Sequence, residues 1–221
     1  MHTAIIVEPR KHRALPFVLN NVLTNLSDDW NVIVCHGTAN KEFVEAILDT
    51  DLKNYTSRVS LFNLGVENFT RAEYNAFMCS KTYHDLIPTE MFLVFQTDSM
   101  IFSENKHLIH QFMEFDYVGA PWMQEGTIEA SNGKVGNGGF SLRRKSKMME
   151  IIEKVPYPGD NEDLYFSNAP IPVHKPTWEH AKMFSIEHVF SPVSFGCHQP
   201  WNHYGFLSQK YPDIKVLFSL Q

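Results

Sequence analysis

The sequence predicts an α/β fold with a mostly parallel central sheet, on three observations. Apolar runs of strand length alternate three times with stretches of helical spacing before Asp98, the pattern of crossover connections between parallel strands. One such run, Met91 to Phe95, breaks abruptly into Gln96, Thr97 and Asp98, and an open α/β sheet puts its ligands at the carboxyl ends of its strands. The composition, 43% hydrophobic and 20% charged over 221 residues, suits a soluble globular chain with one substantial core.

In chain order, Thr3 to Val7 is β-branched and apolar and meets Glu8-Pro9-Arg10, so a buried first strand ends in a polar loop. Leu15-Pro16 opens a helix: Phe17, Val18, Val22, Leu23 and Leu26 recur at helical spacing, and a first turn tolerates proline's missing N–H. Asn31 to Gly37 is a second strand with a glycine stop. Lys41 to Leu48 is a short helix with Phe43, Val44, Ile47 and Leu48 on one side, and Val59 to Leu64 is a third strand. Arg71 to Ile87 is expected to form one longer helix leading into Met91 to Phe95. After Phe102 the pattern changes. Phe115 to Trp122 closes on a proline, Val135 to Arg144 reads as a glycine-rich strand and Met148 to Val155 as a short helix. Prolines from Pro156 to Pro176 suit irregular loops wrapping a site. No linker divides the chain, so one domain over residues 1–221 is expected, with a nucleotide-binding half at 1–102 and a second half at 103–221.

Several function classes recede on charge and motif. A net charge of -6 gives no general attraction to nucleic acid or anionic membrane, and no stretch approaches a membrane span. Cys35, Cys79 and Cys197 are odd in number and far apart, which indicates neither a disulfide framework nor a Cys-x-x-Cys knuckle and fits a reducing compartment. The N-terminal MHTAIIVEPR lacks a basic leader, so a cytoplasmic location is expected. No Gly-x-Gly-x-x-Gly follows the first strand and no Walker-type loop occurs, which disfavours dinucleotide enzymes and P-loop ATPases.

Four places carry chemistry, each with two readings. Asp98 either bonds its own backbone in a turn or faces a crevice. Gly136-Asn137-Gly138-Gly139 either makes a hairpin turn or lets a ligand approach exposed N–H groups. Asn161-Glu162-Asp163 either starts a helix or sets a general base beside a substrate hydroxyl. His198, in Phe195-Gly-Cys-His-Gln-Pro-Trp201, is either an ordinary hydrogen-bonded histidine or a metal ligand whose partners come from distant segments.

The order of these pieces resembles the landmarks of GT-A fold glycosyltransferases. It is most similar to a family of glycosyltransferase-like proteins of large viruses and microbes, long classed as a domain of unknown function. The resemblance rests on AIIVEPR, WNVIVCHG, FQTDS, FDYVGAPW, VGNGGFSLR, NEDLYFS, FSIE and FGCHQPW, which span almost the whole chain. It implies a single GT-A (Rossmann-like) domain: helices flank the sheet, and residues 103–221 form a loop-rich sugar and acceptor half. It also implies a nucleotide-diphosphate sugar, UDP-linked by expectation, whose phosphates are bridged by Mn²⁺ or Mg²⁺. Gln96-Thr97-Asp98 stands where that fold has its Asp-x-Asp motif, with glutamine at the first acidic position, so Asp98 and His198 are the expected metal ligands. Glu8, Arg10, Asn75, Gln96 and Thr97 are the expected donor contacts, and Asn137, Gly138 and Gly139 the lining of the sugar pocket. Asp163, with Glu162 as substitute, is the expected base of an inverting transfer to a glycan or other hydroxyl acceptor. Trp122 and Trp201 offer apolar faces to sugar rings or pack internally. Two other readings accompany this one. A sugar nucleotidyltransferase needs a basic glycine-rich loop that Glu8-Pro9-Arg10 does not supply, and a non-catalytic nucleotide-sugar or carbohydrate module accords with the missing aspartate.

Overall fold

The computed structural model describes residues 1–123 and 134–221. Its larger sheet contains β1 (His2–Glu8), β2 (Trp30–His36), β3 (Val59–Asn63), β4 (Met91–Phe95), β6 (Tyr117–Val118) and β7 (Phe140–Arg144), in the order β3-β2-β1-β4-β7-β6. The first four strands are parallel; β7 runs antiparallel to β4, and β6 antiparallel to β7. A smaller sheet joins β5 (Ser99–Ile101), β8 (Ser185–Ile186) and β9 (Gly196–His198) in the order β5-β9-β8. The helices are α1 (Leu15–Asn25), α2 (Lys41–Asp49), α3 (Arg71–Met78), α4 (Lys81–Asp85), α5 (Lys145–Lys154), α6 (Glu162–Ser167), α7 (Trp178–Ala181), α8 (Tyr204–Lys210) and α9 (Ile214–Ser219).

Continuous apolar runs make the central strands because both faces of the sheet are covered. Ala4 and Ile6 of β1 pack on one side with Leu15, Val18 and Val22 of α1 and Val44 and Ile47 of α2. Ile5 and Val7 pack on the other with Met78 of α3, Tyr83 of α4, Met148 and Ile151 of α5 and Phe166 of α6. This is an α/β fold with a mixed, mostly parallel sheet.

Two expected elements take a different form. The single helix over Arg71 to Ile87 is two helices, because the Ser80 hydroxyl accepts from Tyr83 N and starts α4 while also donating to Phe77 O. A capping serine thus breaks a run that hydrophobic spacing alone would carry through. The glycine-rich strand begins only at Phe140; upstream, Val135 makes an isolated bridge to Pro121, and Gly136 has a φ of 145°.

The strand order fixes where a ligand can go. The chain lays β1, β2 and β3 outward in one direction and then returns to place β4 on the other side of β1. The connections leaving the carboxyl ends of β1 and β4 therefore diverge, and the crevice between them is the usual ligand site of such sheets. Glu8 ends β1, and Gln96-Thr97-Asp98 follows β4.

Candidate functional site

Two open lobes meet along that edge. One, of about 270 Å³, is walled by Glu8, Arg10, Thr97 and Asp98; the other, of about 500 Å³, by Trp122, Asn137, Gly139, Asp163, Glu187 and His198. Arg71, Tyr74 and Gln96 border both, so the lobes form one continuous cleft.

The small sheet brings distant residues to the junction. Antiparallel pairing sets Ser99 of β5 opposite His198 of β9, which leaves Asp98 beside Gln199, and Gln199 N donates to Asp98 O at 3.0 Å. Gln199 takes a left-handed φ of 45°, unusual for a residue with a Cβ, and its side chain donates to Asp98 Oδ2 at 2.7 Å. The other oxygen, Asp98 Oδ1, lies 3.3 Å from His198 Nε2. His198 Nε2 is also 3.1 Å from Gln96 Oε1, while Gln96 Nε2 donates to the Tyr74 hydroxyl at 2.9 Å. The expected pair Asp98 and His198 thus meets across a hundred positions of sequence.

Burial drives the His198 imidazole toward its neutral form. The carboxylates of Asp98 and Glu187 outweigh it and raise the ring to about 10. Burial likewise pushes Asp98 up, but His198 and Gln199 hold it below the usual carboxylate range. Glu187 follows the same pattern, held down by His188 and His198. One buried and one half-buried carboxylate thus flank a buried imidazole.

A divalent cation fits this group. Asp98 Oδ1 is buried and makes no hydrogen bond among the described residues. The 3.1 and 3.3 Å separations of Nε2 from Gln96 Oε1 and Asp98 Oδ1 are close to the roughly 3.0 Å between adjacent oxygen or nitrogen ligands around an octahedral cation with bonds of about 2.1 Å. Among the described residues no three His, Cys, Asp or Glu side chains form a metal cluster. Asp98, His198 and the neutral Gln96 would therefore leave coordination positions to a ligand's oxygens or to water.

Glycines make room for these side chains. A Cβ on Gly139 would fall 2.1 Å from His198 Nε2, inside the imidazole ring's space. Gly139→Ala is accordingly expected to turn His198 away and to cost about 1–3 kcal/mol through overpacking; a urea midpoint that matches the unchanged protein would refute this. At Gly138 a Cβ would fall 2.1 Å from Glu162 Oε1. Gly138, expected beside Asn137 and Gly139 in the lining of a sugar pocket, gives Glu162 the space in which it packs.

Glu162 and Asp163 occupy the first turn of α6 and do different things. Glu162 is clamped by Arg143, whose NH1 and NH2 donate to its two oxygens at 2.7 and 3.1 Å. Arg143 is 0% exposed, also donates from Nε to Ser141 Oγ and from NH2 to Gly138 O, and lies over the Tyr117 and Phe166 rings. This corrects the expectation that Glu162 can substitute as base, because both its oxygens are held by a permanent cation. Asp163 accepts from Leu164 N at 2.8 Å and Gly138 N at 3.3 Å and faces the cleft. Burial first, and the neighbouring Glu162 charge second, raise Asp163 to about 6.

The remaining candidates divide. Glu8, only 3% exposed, is bidentate with Arg10 at 2.8 Å for each bond, so the two form one wall unit rather than two free contacts. Thr97 is buried at the first lobe, and its carbonyl accepts from Gln221 Nε2. Asn137 lines the second lobe and accepts from Gly139 N. Asn75 borders the cleft, but its Oδ1 accepts from Glu162 N at 3.2 Å; it caps α6 where a donor contact was expected. Trp122 is a cleft wall, whereas Trp201 packs edge-on against Phe218. The sequence reading missed Glu187, Gln199, Arg143 and Arg71. Arg71 borders both lobes. Only a cation following Thr70 in a capping-box pattern, Thr70 to Glu73, marked its place.

A family model described as a protein of unknown function, DUF5672, matches residues 58–198, which include Arg71, Asp98, the glycine run, Asp163, Glu187 and His198. The chain belongs to the DUF5672 family. No curated protein matches this DUF5672 chain significantly in sequence. Among solved structures it is similar to the galactosyltransferase LgtC in complex with donor and acceptor sugar analogues, at a TM-score of 0.60 and 11% identity, covering 99% of this chain and 94% of that one. It is also similar to the mannosyltransferase PcManGT from Pyrobaculum calidifontis in complex with GDP-Man and Mn²⁺, at a TM-score of 0.54 and 12% identity over 80% of this chain. The DUF5672 chain spans 54% of that mannosyltransferase's length. HddC from Yersinia pseudotuberculosis has a TM-score of 0.51 at 13% identity, with 79% of this chain and 88% of that one covered. Identities this low speak to the fold, which is GT-A-like over nearly the whole chain. No helix among the described residues is long and apolar enough to cross a membrane.

Proposed function

We propose that this DUF5672 protein transfers a sugar from a nucleoside-diphosphate sugar to a hydroxyl acceptor, with inversion and with Mn²⁺ or Mg²⁺ at Asp98 and His198. The observation that carries the reading is the 3.3 Å approach of Asp98 Oδ1 to His198 Nε2 at the junction of the two lobes. When bound, the cation supplies charge neutralisation to the diphosphate leaving group. The other roles belong to the chain. Glu8 and Arg10 wall the nucleotide lobe, with UDP the expected nucleotide, and Thr97 borders the same lobe next to Asp98. Arg71, a guanidinium where the lobes join, is suited to the diphosphate oxygens. Gln96 gives a neutral oxygen beside Asp98, and Asn137 and Gly139 border the sugar. Asp163, with a proton affinity near physiological pH, takes the acceptor hydroxyl's proton. The three unpaired cysteines support a cytoplasmic location.

A second reading, a nucleotide-sugar-binding module without turnover, is favoured only by the single carboxylate of Gln96-Thr97-Asp98. Calorimetry with a panel of nucleotide sugars, with and without Mn²⁺, followed by donor hydrolysis, separates the two: binding without cleavage in the presence of acceptors supports the module. Asp98→Asn is expected to abolish the Mn²⁺ dependence of donor binding. If that dependence survives unchanged, Asp98 is not a ligand.

A further inference from the structure

The small sheet sets a third carboxylate against His198. Parallel pairing of Ile186 with Cys197 carries Glu187 alongside His198, and Glu187 Oε2 lies 3.5 Å from His198 Nδ1. Both atoms are buried, and neither has a hydrogen-bond partner among the described residues. The two residues are 4% and 5% exposed, so solvent does little to compensate them. The other oxygen, Glu187 Oε1, sits 3.4 Å from Nδ1 of His188, which anchors the carboxylate from the cleft side.

A ring that ligates a cation gives up the proton of one nitrogen and keeps that of the other, and here each nitrogen has acceptors that could hold it. On the cleft side, Nε2 faces Gln96 Oε1 and Asp98 Oδ1. A proton kept there would occupy the lone pair that a cation needs. Glu187 is the acceptor on the opposite nitrogen. We propose that Glu187 is a positioning residue: its Oε2 accepts the Nδ1 proton of His198, fixes the ring, and leaves Nε2 bare toward Asp98 and the divalent cation. The inference rests on the reading of Asp98 and His198 as cation ligands and deepens it. Carboxylate-to-histidine contacts of this kind commonly set both the tautomer and the orientation of a metal-binding ring.

The test uses the full chain, with UDP and GDP in turn as the nucleotide, and follows free Mn²⁺ by electron paramagnetic resonance during a MnCl₂ titration. Glu187→Leu, which removes the acceptor, is expected to weaken Mn²⁺ binding about 10- to 100-fold, and Glu187→Gln, which restores a carbonyl oxygen, to regain most of it. A purely structural carboxylate would lower the thermal midpoint without that pattern of loss and rescue. Mn²⁺ binding by folded Glu187→Leu within twofold of the unchanged protein overturns this inference and leaves the transferase reading standing. No Mn²⁺ binding by the unchanged protein with either nucleotide overturns both. Should Glu187→Leu fail to fold, nitrogen-15 NMR of the unchanged protein loaded with Mg²⁺ and nucleotide decides: a His198 proton on Nδ1 supports the proposal, and one on Nε2 overturns it.

Discussion

Asp163→Asn is expected to lower sugar transfer by about 10²- to 10⁴-fold, the usual contribution of a positioned general base, while donor affinity stays within a few-fold. The separation follows from where Asp163 sits. It faces the lobe that holds Asn137 and Trp122, away from the Glu8 and Arg10 wall. The unchanged protein should lose kcat/KM as pH falls through about 6, because the base is then protonated. The same shift tells against a purely capping role. A carboxyl whose proton affinity is raised by folding binds its proton more tightly in the folded than in the unfolded chain. It therefore costs stability progressively as pH rises from the ordinary carboxylate range through about 6. At pH 7 Asp163→Asn removes that cost, offset by the weakened Gly138 N–H contact, so its unfolding midpoint should stay near or above that of the unchanged protein. A clear loss of stability with transfer intact would return Asp163 to the role of helix cap.

Arg143→Met is expected to destabilise the fold by about 3–5 kcal/mol, the usual cost of removing one partner from a buried ion pair. The guanidinium is fully buried, bidentate to Glu162 and stacked near two aromatic rings, so its loss strands a carboxylate inside the protein. Removing both charges, as in Arg143→Met with Glu162→Met, should recover much of the stability, since apolar side chains of similar volume often replace a buried pair without penalty. Turnover should not recover with it. The same guanidinium holds Gly138 O, and the Gly138 N–H supports Asp163. Urea unfolding of the single and double variants checks the first statement and donor turnover the second. A single-variant loss under about 1 kcal/mol would mean that water reaches the pair and the dry-interior account is wrong.

The half of the fold built from long apolar runs was legible in the sequence because strands covered on both faces announce themselves. Thr3 to Val7, Val32 to Cys35 and Met91 to Phe95 are almost wholly apolar and all buried. The small sheet was not legible. β8 and β9 have two and three residues, too few to show a period, and their pairing depends on chain that wanders from Ile186 to Gly196. That is why the order of motifs singled out Asp98 and His198 but not Glu187, which the unseen register sets beside His198. Arg143 was hidden differently: in FSLRR it reads as a strand-end charge, and nothing local tells which of two adjacent arginines turns inward. Arg144 bridges to Asp116 nearer the surface, and Arg143 takes the interior. The contacts of Asn75 and Gly138 with Glu162 emerge only once α6 is docked.

The β5–β9 pairing has a consequence for the life of the chain before it is complete. Because Asp98 meets its imidazole partner only through a strand that ends at His198, a nascent polypeptide can finish the β1-to-β4 core on the ribosome long before it owns a cation-facing pair. Synthesis itself thus imposes a delay, and fragments that end before Gly196 cannot bring the two side chains together.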